Sequence, residues 1–372
     1  MAVVPDLASG VGAGSTEFHV VRSDKLLPKL LFHFLVQRDV RQDARRNMSG
    51  TAGQMRVPTD YLRLLPVPVP PMDVQRLLVN RIDELFAEID DGEYGLAAVH
   101  SGTSTYRKTL LNAAVKGDLT ADWRSSNAPS DGSTVLLSTI LQQRRSDAVS
   151  SGKAYKEPSE ATPPEGRSLP PSWCWASVRQ LMGTIRNGTP ARPTEDPSGA
   201  AVLRISAVRP MSVDLSSARR MPASFDPSGF LAEPGDLLVT RYNGSSALVG
   251  VCGRHRGNLP VVHPDKLVRL VPVLRNDALT DYIELAINVG HSRAHIERNT
   301  KTTAGQQGVS GETIGETPIP LPPLEEVEEI VRRVRMGLGF ADDLTASLAE
   351  GSDLHILRQS ILAAAFRGDL VA

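Results

Sequence analysis

The chain repeats itself at long range. The tetrapeptide Thr51-Ala52-Gly53-Gln54 returns as Thr303-Ala304-Gly305-Gln306, Arg46-Asn47 as Arg298-Asn299, and the proline run Pro66–Pro71 (PVPVPP) as Pro318–Pro323 (PIPLPP). All three recur without a gap, 252 residues on (51 to 303, 46 to 298, 66 to 318). Lys116-Gly117-Asp118-Leu119 returns as Arg367-Gly368-Asp369-Leu370 at a spacing of 251, so the later copy is one residue shorter inside. A duplication is the strongest single constraint on the fold, because whatever the first copy builds the second should build too.

Charge follows the same division. Lys and Arg exceed Asp and Glu by 3 over residues 1–71 and again over 170–323, while acidic residues exceed basic ones by 4 over 72–122 and over 324–372. Residues 123–169 carry +1, which completes the net −1. Each copy thus runs from a basic block through a proline run to an acidic segment. The expected segments are 1–71, 72–122, a linker at 123–169, 170–323 and 324–372.

Proline lacks the N–H and restricts the residue before it, so the proline runs read as stiff extended straps outside helix and sheet ladders. Helices are expected after them. Leu78, Ile82, Leu85, Ile89, Gly92, Leu96 and Val99 alternate steps of four and three, a heptad seam. Ile330, Val334, Leu344 and Leu348 keep the same phase in the second copy. Leu354, Leu357, Ile361 and Ala364 resume it one residue early. Glycines interrupt both seams, at 92, 95 and 102 and at 337, 339 and 351. Each costs roughly 1 kcal/mol against alanine in an isolated helix. Such helices need a partner, and the two narrow seams of matching length suit each other, with an ordinary helical hairpin as the competing reading. About 45 residues at ~1.5 Å each give a rod near two turns of duplex DNA in length. The linker is rich in Ser, Pro, Gly and Lys and holds one short helix candidate, Thr134–Arg145.

Residues 170–309 read as a mixed α/β unit. Strands are expected at 202–206, 235–240, 248–252 and 267–273, with one amphipathic helix over 279–299. Two loops carry contact chemistry. Arg241, Tyr242, Asn243 and Ser245 follow a strand and combine a guanidinium, a ring, an amide and a hydroxyl. Arg and Asn are the residue types that read guanine and adenine edges with paired hydrogen bonds. Lys301, Thr302, Thr303, Gln306 and Gln307 supply charge, hydroxyls and amides suited to phosphate and base edges. Thr51, Gln54 and Arg56 are the first copy's counterpart. Asn187, Thr189 and Arg192 form a third loop, with Pro190 inside it. A solvated turn is the competing reading for each.

Several function classes are excluded. There is no GxxxxGK[ST], HExxH or GxSxG, and the eight histidines show no metal-ligand spacing. Cys174 and Cys252 are far apart and form no CxxC. No apolar run is long enough to cross a bilayer. No basic n-region with an apolar stretch opens the chain. A reducing, cytoplasmic setting fits these features. No catalytic centre, metal or cofactor is expected.

The order of these motifs resembles the specificity subunit of type I restriction–modification enzymes. LPPSWCW at 169–175, KAYKEP at 153–158 and TPIPLPPLEE at 317–326 match that pattern as well, and the likeness covers essentially the whole chain. The resemblance implies two α/β (mixed α+β) target-recognition domains, each reading half of a split duplex site. Two long antiparallel helices would form the coiled coil between them. It implies methyltransferase (modification) subunits and a restriction subunit as partners, with S-adenosylmethionine and ATP bound only on those. There is one departure. The first block has only 50 residues before its TAGQ loop, against about 130 in the second. GSTEFHVV and LLPKLLFHFLVQRDVRQDARR resemble the closing strand and helix of such a domain, and its opening strands are missing. The first recognition domain therefore reads as truncated. The alternative reading is an assembly adaptor, or an inactive fragment, that holds methyltransferase subunits through the coiled coil without reading DNA. An enzyme such as a fused methyltransferase–nuclease is disfavoured by the absent motifs.

Overall fold

The computed structural model describes residues 1–372 except 6–11, 16, 51–54, 128–131, 153, 167, 195–196, 304–305, 350–353 and 372; the side chains of 303, 306 and 349 also lie outside it. The helices are α1 (Pro28–Leu35), α2 (Arg38–Arg46), α3 (Thr59–Leu64), α4 (Met72–Lys116), α5 (Ala121–Ser126) and α6 (Ser133–Ser150). They continue with α7 (Val178–Leu181), α8 (Asp277–Asn288), α9 (Gly290–Arg298), α10 (Gly311–Glu316), α11 (Leu324–Ala349) and α12 (Leu354–Arg367). The strands are β1 (Cys174–Ser177), β2 (Met182–Asn187), β3 (Ala201–Val202), β4 (Val208–Arg209), β5 (Ser212–Val213), β6 (Arg219–Arg220), β7 (Leu231–Ala232) and β8 (Leu237–Thr240). Then come β9 (Tyr242–Asn243), β10 (Cys252–Arg254), β11 (Val261–Val262), β12 (Leu267–Pro272), β13 (Lys301–Thr303), β14 (Gln306–Gly308) and β15 (Pro318–Leu321). The fold is mixed helix and sheet. Two compact units form: residues 1–103 with 342–372, and residues 104–341. Among the described residues no helix is long and apolar enough to cross a membrane.

The first unit is helical. Leu26 (just before α1), Leu30 (α1), Leu78 and Ile82 (α4), and Leu362 and Ala365 (α12) share one core. Phe34 meets Phe366 edge to face at 5.3 Å. Buried Gln75 stitches the entry of α4 to the chain before α1. Its Oε1 accepts the Leu27 N–H (2.9 Å), and its Nε2 donates to the carbonyls of Lys25 (2.8 Å) and Pro70 (2.9 Å). On α12, Arg358 pairs with Asp90 and Glu93 of α4 and lies over Phe86. Along α4, Leu78, Ile82 and Ile89 are buried and Leu85, Leu96 and Val99 half-buried. On α12 the spacing fails. Leu357 is 48% exposed, while Leu362 and Ala365 are buried. Phe366 docks on Phe34, and that contact fixes the rotation of α12 so that residues one turn and one step before it face inward. The expected closing strand is also absent. Phe18, Val20 and Val21 are exposed, and the described residues of this unit hold only the isolated Ser49–Arg56 bridge. An extended segment needs a ladder partner, and none is present there. The helix expected after it is two, parted at Val36–Gln37, and α2 (RDVRQDARR) buries nothing.

The second unit centres on the antiparallel sheet β10-β8-β12-β2. Leu237, Val239, Val268 and Leu270 face the main core under α8, where Leu279, Tyr282, Ile283 and Ala286 are buried. Leu238 and Leu267 face a second core with Leu203, Val208, Ala232 and Val261. Both faces are covered, so the strands read as continuous apolar runs rather than alternating ones. The second sheet, β6-β3-β11-β7, flanks that second core.

Three expected elements differ. Over 202–206 only Val202 is strand; a 3-10 turn takes Ile205–Ala207. Over 248–252 the ladder starts at Cys252, because Gly250 at φ +72° turns the chain and a Cβ there would lie 2.2 Å from Ile296. The helix of 279–299 breaks at Gly290, whose φ of +61° is left-handed.

The second proline run is a sheet strand, which corrects the strap reading. β15 pairs antiparallel with β1, in the register Pro318↔Ser177 and Pro320↔Trp175. Prolines at alternate positions present their missing N–H to one side only. That side faces α8 and α9, where the Pro320 carbonyl accepts from Tyr282 Oη (2.6 Å) and the Pro318 carbonyl from Ser292 Oγ (2.5 Å). The first run, 66–71, has no regular structure.

On α11, Val327, Ile330, Val331 and Val334 are buried in the main core. Leu344 and Leu348 further along are half-buried, as is Leu354 at the start of α12. A Cβ on Gly337 would lie 2.6 Å from Leu110 and 2.8 Å from the Tyr106 hydroxyl, so its bareness admits the side chains of α4. Gly92, Gly95, Gly102 and Gly339 face open space, and nothing in the structure explains them.

Asp281 of α8 ties three elements together. It accepts from Arg254 (2.7 Å), the last residue of the edge strand β10, and from Arg256 (2.8 Å) just after it, and pairs with Arg335 of α11. Burial pushes its carboxyl pKa up, but the hydrogen bonds from Arg254 and Arg335 and the charge of Arg256 outweigh this and leave it lowered. A lowered native value means the unfolded chain binds the proton first as pH falls. Stability from Asp281 is therefore complete above about 3.9, the free Asp value, and is lost as pH falls below it. Asp281→Asn should lower stability at neutral pH and flatten its acid dependence in urea titrations; an unchanged acid slope would remove Asp281 from that role.

Candidate nucleic-acid interface

Three sequence motifs meet at one carboxylate. Glu326, at the start of α11, is fully buried. Its Oε1 accepts from Thr120 Oγ1 (2.6 Å) and Arg124 Nη1 (2.5 Å), and its Oε2 from Trp173 Nε1 (2.8 Å). Arg124 also lies over the Trp173 ring and donates to the Gly117 carbonyl. Gly117 is left-handed at φ +83°, and a Cβ there would lie 2.6 Å from Pro170. KGDLT, LPPSW and LEE are thus parts of one latch joining the end of α4, the entry to the sheet unit and the start of α11. Its donors are satisfied within the protein, so it positions the site and leaves nothing to offer a ligand.

The contact candidates gather elsewhere in this unit, around a cleft of about 970 Å³. Arg192, Tyr242 and Asn243 line it. The stretch after β8 is not the free turn its sequence suggests. β9 pairs with β14, in the register Asn243↔Gln307 and Gly308↔Tyr242, and β14 pairs with β13. The loop expected over 301–307 is therefore a hairpin, with Lys301 opposite Gly308, Thr302 opposite Gln307 and Thr303 opposite Gln306. The strand β9 beside it supplies a ladder partner that sequence spacing alone does not reveal. A Cβ on Gly308 would lie 2.2 Å from the Tyr242 ring, so this glycine lets the ring lie over the backbone.

Arg241 is clamped by its backbone. Its N–H donates to the Lys266 carbonyl (2.7 Å), and its carbonyl accepts from Val309 (2.9 Å). Its guanidinium lies 4.8 Å from the Tyr242 ring centroid. The Asn243 side-chain oxygen accepts the Ser245 N–H (3.0 Å), which presents the amide nitrogen outward; Ser245 itself is exposed.

Asn187 ends β2 and is exposed. A Cβ on the following Gly188 would lie 2.1 Å from the His263 carbonyl, so only glycine fits. Thr189 is 2% exposed and its hydroxyl accepts the Ala191 N–H (3.1 Å), so it shapes the loop from within. Lys301 and Thr302 are exposed and Gln307 is half-buried. The side chains of Thr303 and Gln306, and all of Thr51 and Gln54, lie outside the described residues. Arg56, in the first unit, is exposed and paired with Glu17 at 2.6 Å.

Sequence reasoning missed Arg204, Arg209, Arg219 and Lys266, which line the same cleft. The signal is there: residues 204–220 hold four arginines and one aspartate, but only 202–206 reads as an element, a short strand, and the rest shows no pattern. Asp236, a conceivable metal ligand by type, instead accepts from Glu233 N (2.8 Å) and Arg269 Nε (2.6 Å) in its own turn. Among the described residues no group of three or more His, Cys, Asp or Glu could hold a metal.

No protein-family profile matches the chain. The chain is 29% identical over 357 residues to the type I restriction enzyme EcoKI specificity subunit of Escherichia coli (strain K12), covering 95% of this chain and 68% of the relative. It is 24% identical over 356 residues to the StySPI specificity subunit of Salmonella potsdam, with the same coverage of each. Among solved structures, one from work on complex assembly and conformational transition of the type I R-M system superposes with a TM-score of 0.61 at 20% identity, covering 93% of this chain and 72% of that one. The HsdS subunit from Thermoanaerobacter tengcongensis superposes with a TM-score of 0.51 at 20% identity, covering 92% and 70%. These two likenesses concern the fold.

Proposed function

We propose, from the premise that this chain is a homologue of the type I restriction enzyme specificity subunits over 95% of its length, that it is the non-catalytic subunit that gives such a complex its DNA sequence. It binds duplex DNA and scaffolds methyltransferase and restriction subunits. S-adenosylmethionine and ATP belong to those partners, and the complex works in the cytoplasm. The observation that carries this reading is the cleft. The strand β9, bearing Tyr242 and Asn243 and following directly on Arg241, is zipped to the 301–308 hairpin beside a wall of cations. Base readout needs side chains held in place, and a laddered strand holds them better than a free turn.

The segments proposed at sequence level carry the rest. Residues 170–323 form the competent recognition domain, and 1–71 a shortened first one. Residues 72–122 and 324–372 supply two helices of an internal repeat that pair as an antiparallel coiled coil. Support comes from contacts inside each unit: residue 110 meets 337 and 120 meets 326 in one, and 90 meets 358 in the other. In the first of these, the position later in the first copy meets the earlier position of α11, as an antiparallel pairing requires.

Arg241→Ala and Asn243→Ala should each weaken one half-site by about 1–3 kcal/mol, the worth of a paired base contact. The measurement is binding of the assembled complex to duplexes varied at each position. Equal losses on every sequence would make these phosphate contacts. Absence of salt-dependent DNA binding would leave the adaptor reading in its place.

A further inference from the structure

We infer that the arm 203–220 is a phosphate-tracking wall of the cleft that β9 also lines, with Arg204 and Arg209 holding the DNA backbone and Lys266 adding a third cation next to the reading strand. The inference rests on the DNA-binding reading above and gives the cations of that cleft a job distinct from base readout.

The first ground is charge. Among the described residues lining the cleft, Arg192, Arg204, Arg209, Arg219 and Lys266 stand against one carboxylate, Asp265. The second is how the arginines of this unit are employed. Arg254, Arg256, Arg269, Arg293 and Arg335 are all committed to carboxylates. Arg204 and Arg209 take part in no ion pair among the described residues. Each is instead anchored to a backbone carbonyl: Arg204 Nε to Ser217 (3.0 Å) and Arg209 Nη1 to Val208 (3.0 Å). A carbonyl anchor orients a guanidinium without neutralising it, and five N–H donors leave several for an anion. The third is placement. Both arginines are exposed, on either side of the 3-10 turn Ile205–Ala207. Lys266 adjoins the residue just before the reading strand, since its carbonyl accepts the Arg241 N–H (2.7 Å). The arm therefore presents cations to the cleft, while β9 lines it with an amide and a ring. That division suits phosphate on one side and base edges on the other.

The test is the affinity of the full chain for a mixed-sequence DNA duplex, measured over a series of NaCl concentrations. Arg204→Ala and Arg209→Ala should each weaken binding on all sequences alike and make the slope of log K against log [NaCl] shallower by about one. Arg204→Lys and Arg209→Lys should keep the slope. Both positions are exposed, so thermal unfolding should not move. An unchanged slope in both alanine variants, or a loss confined to particular sequences, overturns the assignment and leaves the DNA-binding reading intact. Absence of salt-dependent binding in the unaltered chain overturns both.

Discussion

Glu326→Ala should cost the second unit about 3–5 kcal/mol, the loss seen when one partner is removed from a buried charged pair. The variant leaves three donors facing a void. Arg124, with a side chain only 17% exposed, loses its carboxylate, while the Trp173 indole and the Thr120 hydroxyl lose their acceptor. Each unsatisfied buried polar group adds its own desolvation cost. Glu326→Gln keeps the shape and one acceptor and should cost distinctly less. Urea titration followed by tryptophan fluorescence reads both, because Trp173 is part of the latch. A Glu326→Ala midpoint close to that of the unaltered chain would show that the latch is dispensable, and with it the account of why KGDLT, LPPSW and LEE occur together.

The second large effect is expected in the first unit. Ile82 is fully buried between α1, α4 and α12. Ile82→Asp places a carboxylate there with no cation to meet it, and losses above about 4 kcal/mol belong to this class of change. Hydrogen exchange should show lost protection in α1, α12 and the first half of α4. Leu85→Asp, at a half-buried position on the same helix, should do the same less severely. Protection retained in α12 of the Ile82 variant would mean that the two helices do not depend on each other, which contradicts their pairing as a coiled coil.

Helix existence was legible in the sequence because apolar spacing is local. Leu78, Ile82 and Ile89 announce the buried side of α4 without reference to anything else. The rotation of α12 was not legible, because one tertiary contact, Phe34 on Phe366, decides it. The proline run at 318–321 was misread for a related reason. Proline is excluded from a ladder only where its missing N–H faces the partner, and the sequence does not say which side that is. Gly290 was visible as a glycine but not as a helix break, since the break is enforced by its left-handed φ. Within the site, residue chemistry singled out Tyr242, Asn243 and Gln307. That they lie on paired strands depends on β9 meeting β14, a contact between segments far apart in sequence. The arginines of 204–220 escaped notice because two-residue strands carry almost no periodicity.

The central claim is that this chain chooses a DNA sequence for a methyltransferase. The most direct test is long-read methylation mapping of bacterial cells that express the chain together with the modification subunit of its own system. The account predicts methylated bases at one recurring motif, absent when the chain is omitted and altered at one part of the motif by Asn243→Ala. A methylation pattern that is the same with and without the chain would contradict it.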